Sequence, residues 1–277
     1  MKKRALTSLV LAVVLIPIIW LPTVLFIAVV GVFLTVASFE MARMISKKDA
    51  LSWRYYLIHA ATSMTLYVSF IMFLLNNVSG LFVLMILFGT SATYFSVLVI
   101  DHTLKYDTMS QLFLSGLYIA IGFSAISYLQ NVGVLTLIYL FLVTLLTDIF
   151  AYLIGIRFGK HKLAPFISPK KTFEGLLGGM VFSTVFAVSY VRLFDVTLFT
   201  EVSLTMLSLV GLTLLMSLSG QFGDLIASKL KRDYARKDFS NIFPGHGGVM
   251  DRFDSSLFAS FVLVFLVLVL RLFTQGI

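Results

Sequence analysis

Apolar residues recur along the chain in long runs, broken by short polar stretches from end to end. Nine runs stand out: 5–20, 22–39, 55–75, 81–100, 112–129, 132–155, 176–194, 204–227 and 257–273. A helix needs about 20 apolar residues to cross the hydrocarbon core. The pattern therefore predicts an all-α, polytopic integral membrane protein with about nine transmembrane helices. The first two runs are short and parted only by the Leu21-Pro22 corner, so a tight hairpin is their alternative. Met1-Lys2-Lys3-Arg4 followed by an apolar stretch also resembles a secretory signal. No small-residue cleavage region precedes the next run, so the segment is expected to stay attached. With no internal repeat or low-complexity tract, the pattern suggests a single membrane domain over 1–277. Residues 1–130 read as N-terminal scaffold helices, and 131–277 as helices and loops that carry the motifs.

Composition strengthens this division. Hydrophobic residues make up 59% of the chain and charged residues 12%, with a mean hydropathy of +1.01. A soluble domain carries about a quarter charged residues, so this surface has to meet lipid. The absence of cysteine excludes disulfides, thiolate metal sites and a cysteine nucleophile. The net charge of +8 comes from basic residues in short loops between apolar runs. That placement points to anionic lipid head groups and phosphorylated substrates and not to nucleic acid. All but Arg192 and Arg271 of the 21 Lys and Arg fall on the side shared with the N-terminus. The positive-inside rule then puts the N-terminus and these loops in the cytoplasm.

Candidate chemistry gathers on that same side. Asp148 lies inside the sixth run and Asp224 inside the eighth. A carboxylate there costs several kcal/mol, roughly, unless paired, hydrated or metal-bound. Each has a bland reading, as the structural partner of a nearby Lys or Arg. Farther on, Ser228-Lys-Leu-Lys-Arg reads by itself as a juxtamembrane basic patch for anionic lipid. The downstream stretch Pro244-Gly245-His246-Gly247-Gly248 changes that reading. Its glycines permit positive φ and close backbone approach, which suits an anion nest of N–H groups. Asp251 and Asp254 follow at the expected start of the last helix, spaced to share a face and suited to a hard cation such as Mg²⁺. Asp254 can equally serve as a helix cap, and His246 either donates to a phosphate oxygen or orders the loop. A second basic cluster occupies the 159–175 loop, where Lys170, Lys171 and Thr172 precede Glu174. A topology signal explains its charge but not its detail. Cations for phosphate oxygens beside acids for a metal describe phosphoryl or nucleotidyl transfer.

Ser228-x-Leu-Lys-Arg, then Lys237-Asp238, then Pro244-x-His-Gly-Gly-x-x-Asp-Arg-Phe-Asp254 resembles the signature of the phosphatidate cytidylyltransferases, or CDP-diacylglycerol synthases. Asp148-x-x-Ala-Tyr, the 159–175 loop and Gly223-Asp224-Leu225 are similar to that family's other recurring segments. One departure is Ala227, where the family pattern carries a Glu. The resemblance implies an enzyme of phospholipid synthesis at the inner membrane. It would convert CTP and phosphatidate to CDP-diacylglycerol and pyrophosphate with one or more Mg²⁺ ions, its active site on the cytoplasmic side. It also implies metal ligation by Asp148, Asp224 and Asp251. Lys171, Arg232, Lys237, His246 and Asp251 would be the catalytic residues. Lys170, Thr172, Lys231, Gly247, Gly248 and Arg252 join the first four in phosphate binding, and Glu174, Asp238 and Asp254 support them from behind. A homo-oligomer is neither required nor excluded. The alternatives are a CTP-dependent transferase or kinase for another lipid phosphate or a polyprenol, and more remotely an ion-coupled transporter. Crowding of polar residues at one boundary argues against a transport path.

Overall fold

The computed structural model describes residues 13, 15–46, 51–198 and 205–275. Eight helices in that range are long and apolar enough to cross a membrane. They are α1 (Thr23–Ile45), α2 (Trp53–Leu74), α3 (Gly80–Ile100), α4 (Tyr106–Val132), α5 (Val134–Phe158), α6 (Phe173–Leu193), α7 (Met206–Asp233) and α8 (Met250–Gln275). Each matches one of the last eight apolar runs, and the chain is an all-α multi-pass membrane protein. The run at 5–20 lies for the most part outside the described residues.

Several helices outlast their apolar runs. α4 starts at Tyr106, six residues before its run, and α8 starts at Met250, seven before its own. α7 continues through the basic stretch to Asp233. Lys231 and Arg232 thereby fall in its last turn, where cations offset the helix dipole. Lys231, Arg232, Asp251 and Asp254 thus sit on helix ends, not on free loops. Among the described residues, the named strands form one short antiparallel hairpin, β1 (Lys162–Ala164) and β2 (Ser168–Thr172), paired at Lys162–Thr172 and Ala164–Ser168. Both strands are edges, so Pro169 removes no ladder bond that the fold needs.

The chain divides into two compact units, residues 1–128 with 233–252, and residues 129–232 with 253–277. In the first, α2 is tied to its neighbours through buried hydroxyls. The Tyr67 hydroxyl donates to the Ile27 carbonyl of α1 (2.9 Å) and meets Ser127 Oγ of α4 (2.8 Å). Tyr94 of α3 lies 3.0 Å from both His59 Nδ1 and Thr62 Oγ1 of α2. Gly116 lets α4 close on α2, since a Cβ there would stand 2.7 Å from Ser63 Oγ. Asp101, just past α3, accepts from Thr103 and Tyr55, and those hydrogen bonds hold its carboxyl down at about 2.

In the second unit, α5 and α6 pack backbone to backbone. A Cβ on Gly175 would lie 2.5 Å from the Ala151 carbonyl, and one on Gly179 2.7 Å from that of Thr147. Small residues one turn apart permit this approach. Below it, Thr147 Oγ1 and Ser217 Oγ meet at 2.7 Å, Ser183 donates to Ser217 at 3.2 Å, and Tyr139 meets Thr213 at 2.9 Å. Such interhelical hydroxyl contacts hold apolar helices in register where hydrophobicity cannot.

Candidate active site

In the second unit, four polar residues of α7 share one face: Gln221, Asp224, Ser228 and Lys231, at helical spacings of three and four. The hairpin brings Lys171 to this face. Its position at the end of β2 is fixed by Thr172, whose hydroxyl caps α6 by accepting from Gly175 N at 3.1 Å. Glu174 secures the hairpin base, accepting from the backbone of Lys160 (3.0 Å) and contacting His161 Nδ1 at 2.6 Å. Arg232 Nε reaches the carbonyl of Ile167 in the hairpin turn at 3.4 Å.

Lys171 Nζ then stands 2.6 Å from Asp224 Oδ2 and donates to Gln221 Oε1 at 2.9 Å. With its oxygen so engaged, the Gln221 amide turns its NH₂ to Asp148 Oδ1, 2.7 Å away on α5. Ser255 of α8 donates to the other Asp148 oxygen at 3.1 Å, and Ser228 donates to Asp224 Oδ1 at 3.1 Å. Gly223 allows α8 to come this close, because a Cβ there would lie 2.5 Å from the Asp254 carbonyl. Asp254 completes the group, 4.0 Å from Lys231 Nζ and in electrostatic contact with Asp148 and Asp224. Three carboxylates thus face two ammonium groups in a mostly enclosed setting. Lys171 keeps 18% of its side chain exposed and Asp224 25%, so the pair is reachable from outside.

The signature loop belongs to the first unit. Phe243 to His246 forms a turn closed by His246 N donating to the Phe243 carbonyl at 2.8 Å. Pro244 and Gly245 occupy its centre, and Gly245 has φ +78°, as a type II turn requires. Gly247 also has φ +78°. The N–H groups that follow are directed at carboxylates of the protein itself. Gly248 N donates to Asp251 Oδ2 (2.9 Å), which also accepts from Phe239 N (2.8 Å). Val249 N and Met250 N donate to the two oxygens of Glu40 in α1, each at 2.9 Å. The anion facing this nest is therefore, in large part, internal. Lys237 and Arg252 flank the loop with exposed side chains, Asp238 and His246 are partly buried, and Lys170 of the hairpin is exposed.

Among the described residues, no three acidic or histidine side chains converge as a ready-made metal cage. The donor chemistry around Asp148 and Asp224 still fits a hard divalent cation. Mg²⁺ keeps several waters and is commonly held by one or two carboxylates together with substrate phosphates.

The profile of the cytidylyltransferase family matches residues 2–270. The chain belongs to that family. It is 39% identical over 169 residues to the phosphatidate cytidylyltransferase of Staphylococcus aureus (strain COL), an alignment covering 59% of this chain and 63% of that relative. It is 38% identical over 179 residues to the phosphatidate cytidylyltransferase of Bacillus subtilis (strain 168), covering 64% and 63%. Against that of Staphylococcus haemolyticus it is 44% identical over 141 residues, covering 51% and 52%. The chain thus spans between half and two thirds of the length of these relatives.

Within this family member, the second unit brings together Asp148, Lys171, Asp224, Lys231 and Asp254. Thr172 and Glu174 build the hairpin that presents Lys171. The first unit holds Asp251, Gly247 and Gly248 in the signature loop. Sequence reasoning did not single out Gln221, Ser255 or Glu40. Gln221 lies inside the 204–227 run and Ser255 just before the 257–273 run, both neutral polar residues with no pattern that separates them from helix-packing groups. Glu40 directly follows the 22–39 run and reads as the first polar residue past a span, whereas α1 continues to Ile45.

Proposed function

We propose that the protein is a phosphatidate cytidylyltransferase, converting CTP and phosphatidate to CDP-diacylglycerol and pyrophosphate at the cytoplasmic face of the membrane. The observation that carries this reading is the Lys171–Asp224–Gln221–Asp148 network, built from the β2 strand and the apolar helices α5 and α7 in a member of the cytidylyltransferase family.

A phosphatidate oxygen attacks the α-phosphorus of CTP. The bond from that phosphorus to the oxygen bridging to the β-phosphorus breaks, and pyrophosphate leaves with the electron pair. The nucleophile is already an anionic monoester, so no strong general base is needed. The barrier lies in bringing two anions together, and fixed cations lower it. Lys171 supplies such a charge, and Gln221 aims it. Arg232, Lys237 and His246 are the further candidates for the triphosphate and the lipid head group. Asp148 and Asp224 would hold Mg²⁺, which when bound would neutralise charge on the triphosphate. Asp251 shapes the signature loop through Phe239 N and Gly248 N. The clustering of basic loops on one side supports the cytoplasmic assignment.

The acceptor is tested by supplying purified protein with CTP and, separately, phosphatidate, a polyprenyl phosphate and an ether-lipid phosphate. CDP-lipid should form fastest with phosphatidate. Formation only with another acceptor would replace the substrate while leaving the reaction class intact.

A further inference from the structure

Glu40 is a carboxylate on an apolar helix, 3% exposed, and the reaction chemistry above does not use it. Burying an acid there is costly unless its oxygens are hydrogen-bonded, and both are. Oε1 accepts from the Ser240 hydroxyl at 2.6 Å and from Val249 N at 2.9 Å, while Oε2 accepts from Met250 N at 2.9 Å. These partners lie two hundred residues away in the chain and bracket the signature loop. Ser240 stands at its entry. Val249 forms its exit and Met250 opens α8, where backbone N–H groups have no partner within the helix. Asp251 fastens the same loop at Phe239 and Gly248.

Glycine spacing agrees with this arrangement. A Cβ on Gly248 would collide with Glu40 Oε1 and lie 2.5 Å from Ser240 Oγ. A Cβ on Gly247 would lie 2.6 Å from Asp251 Oδ2. The paired glycines of the signature are where two internal carboxylates press against the backbone.

We propose that Glu40 is a positioning residue that sets the 240–250 loop from α1, and through it the placement of Lys237, His246 and Arg252 for nucleotide phosphates. This rests on the cytidylyltransferase reading. Glu40→Gln isolates the role: it keeps the size and removes the charge. It also turns one acceptor oxygen into a donor facing a donor N–H, so packing survives while the clamp does not.

The absence of cysteine allows a single spin label at Ile242→Cys in the loop, with a control label at Phe166→Cys on the hairpin. In Glu40→Gln the label at 242 should gain mobility, the label at 166 should not, and KM for CTP should rise about tenfold or more. A lower folded fraction would reduce Vmax without moving KM. Unchanged mobility at 242 overturns the proposal, as does equal loosening at both positions. Greater mobility at 242 with an unchanged KM in an active protein also overturns it, reducing Glu40 to a structural tie. If the unsubstituted protein transfers no cytidylyl group, the functional reading fails, and the spectra alone decide whether Glu40 holds the loop.

Discussion

Asp224 and Asp251 are both motif acids, and their surroundings separate their work. Asp224 pairs with Lys171 at 2.6 Å and remains a quarter exposed. Asp251 is buried and accepts two backbone N–H groups. Asp224→Asn should leave the fold intact and lower kcat/KM by roughly 10²- to 10³-fold, the scale of losing one positioned electrostatic group. Steady-state rates of CDP-lipid formation check this, and a loss within about threefold would remove Asp224 from the chemistry. Asp251→Asn should cost about 1–2 kcal/mol in stability as well, because a charged acceptor of two N–H groups is lost. Denaturant unfolding in detergent measures that difference. The acids themselves were legible, since a carboxylate inside an apolar run stands out in any sequence. Their sorting was not, because Asp251 and Asp254 lie three residues apart on one helix. Asp254 meets Lys231 and the acids of the second unit, while Asp251 turns to the loop preceding it. Only side-chain surroundings distinguish them.

Elements place these residues more than loops do. The α5–α6 contact depends on Gly175 and Gly179, whose missing side chains admit the Ala151 and Thr147 carbonyls. Gly179→Leu should force these helices apart and cost about 1–3 kcal/mol, as overpacking does. It should also lower activity, because Asp148 lies on α5 and Lys171 enters through the strand preceding α6. Thr172→Ala should cost about 1 kcal/mol through loss of the α6 cap. Thermal unfolding compared with turnover tests both. Eight of the nine expected spans correspond to observed helices, since unbroken apolar runs of this length leave little choice of structure. Helix ends were harder to read. Helix formation does not stop where hydrophobicity does, so α4, α7 and α8 run on into polar sequence. The 162–172 hairpin was not foreseen, because strands of three and five residues with two prolines nearby carry almost no periodic signal.

The one-sided distribution of Lys and Arg predicts that every motif-bearing segment opens on one side of the membrane. Single cysteines at Lys170 and Lys237 should react with an impermeant maleimide only from the cytoplasmic side, and one at Asn77 only from the other. The cysteine-free background makes that labelling unambiguous. In the proposed reaction the transferred group is cytidylyl. This is tested most directly by following the α- and γ-phosphorus of labelled CTP in one reaction with phosphatidate. The α label should enter the lipid product and the γ label pyrophosphate, in equal amounts. γ label in the lipid, or α label that stays with soluble nucleotide while phosphatidate is consumed, would contradict it.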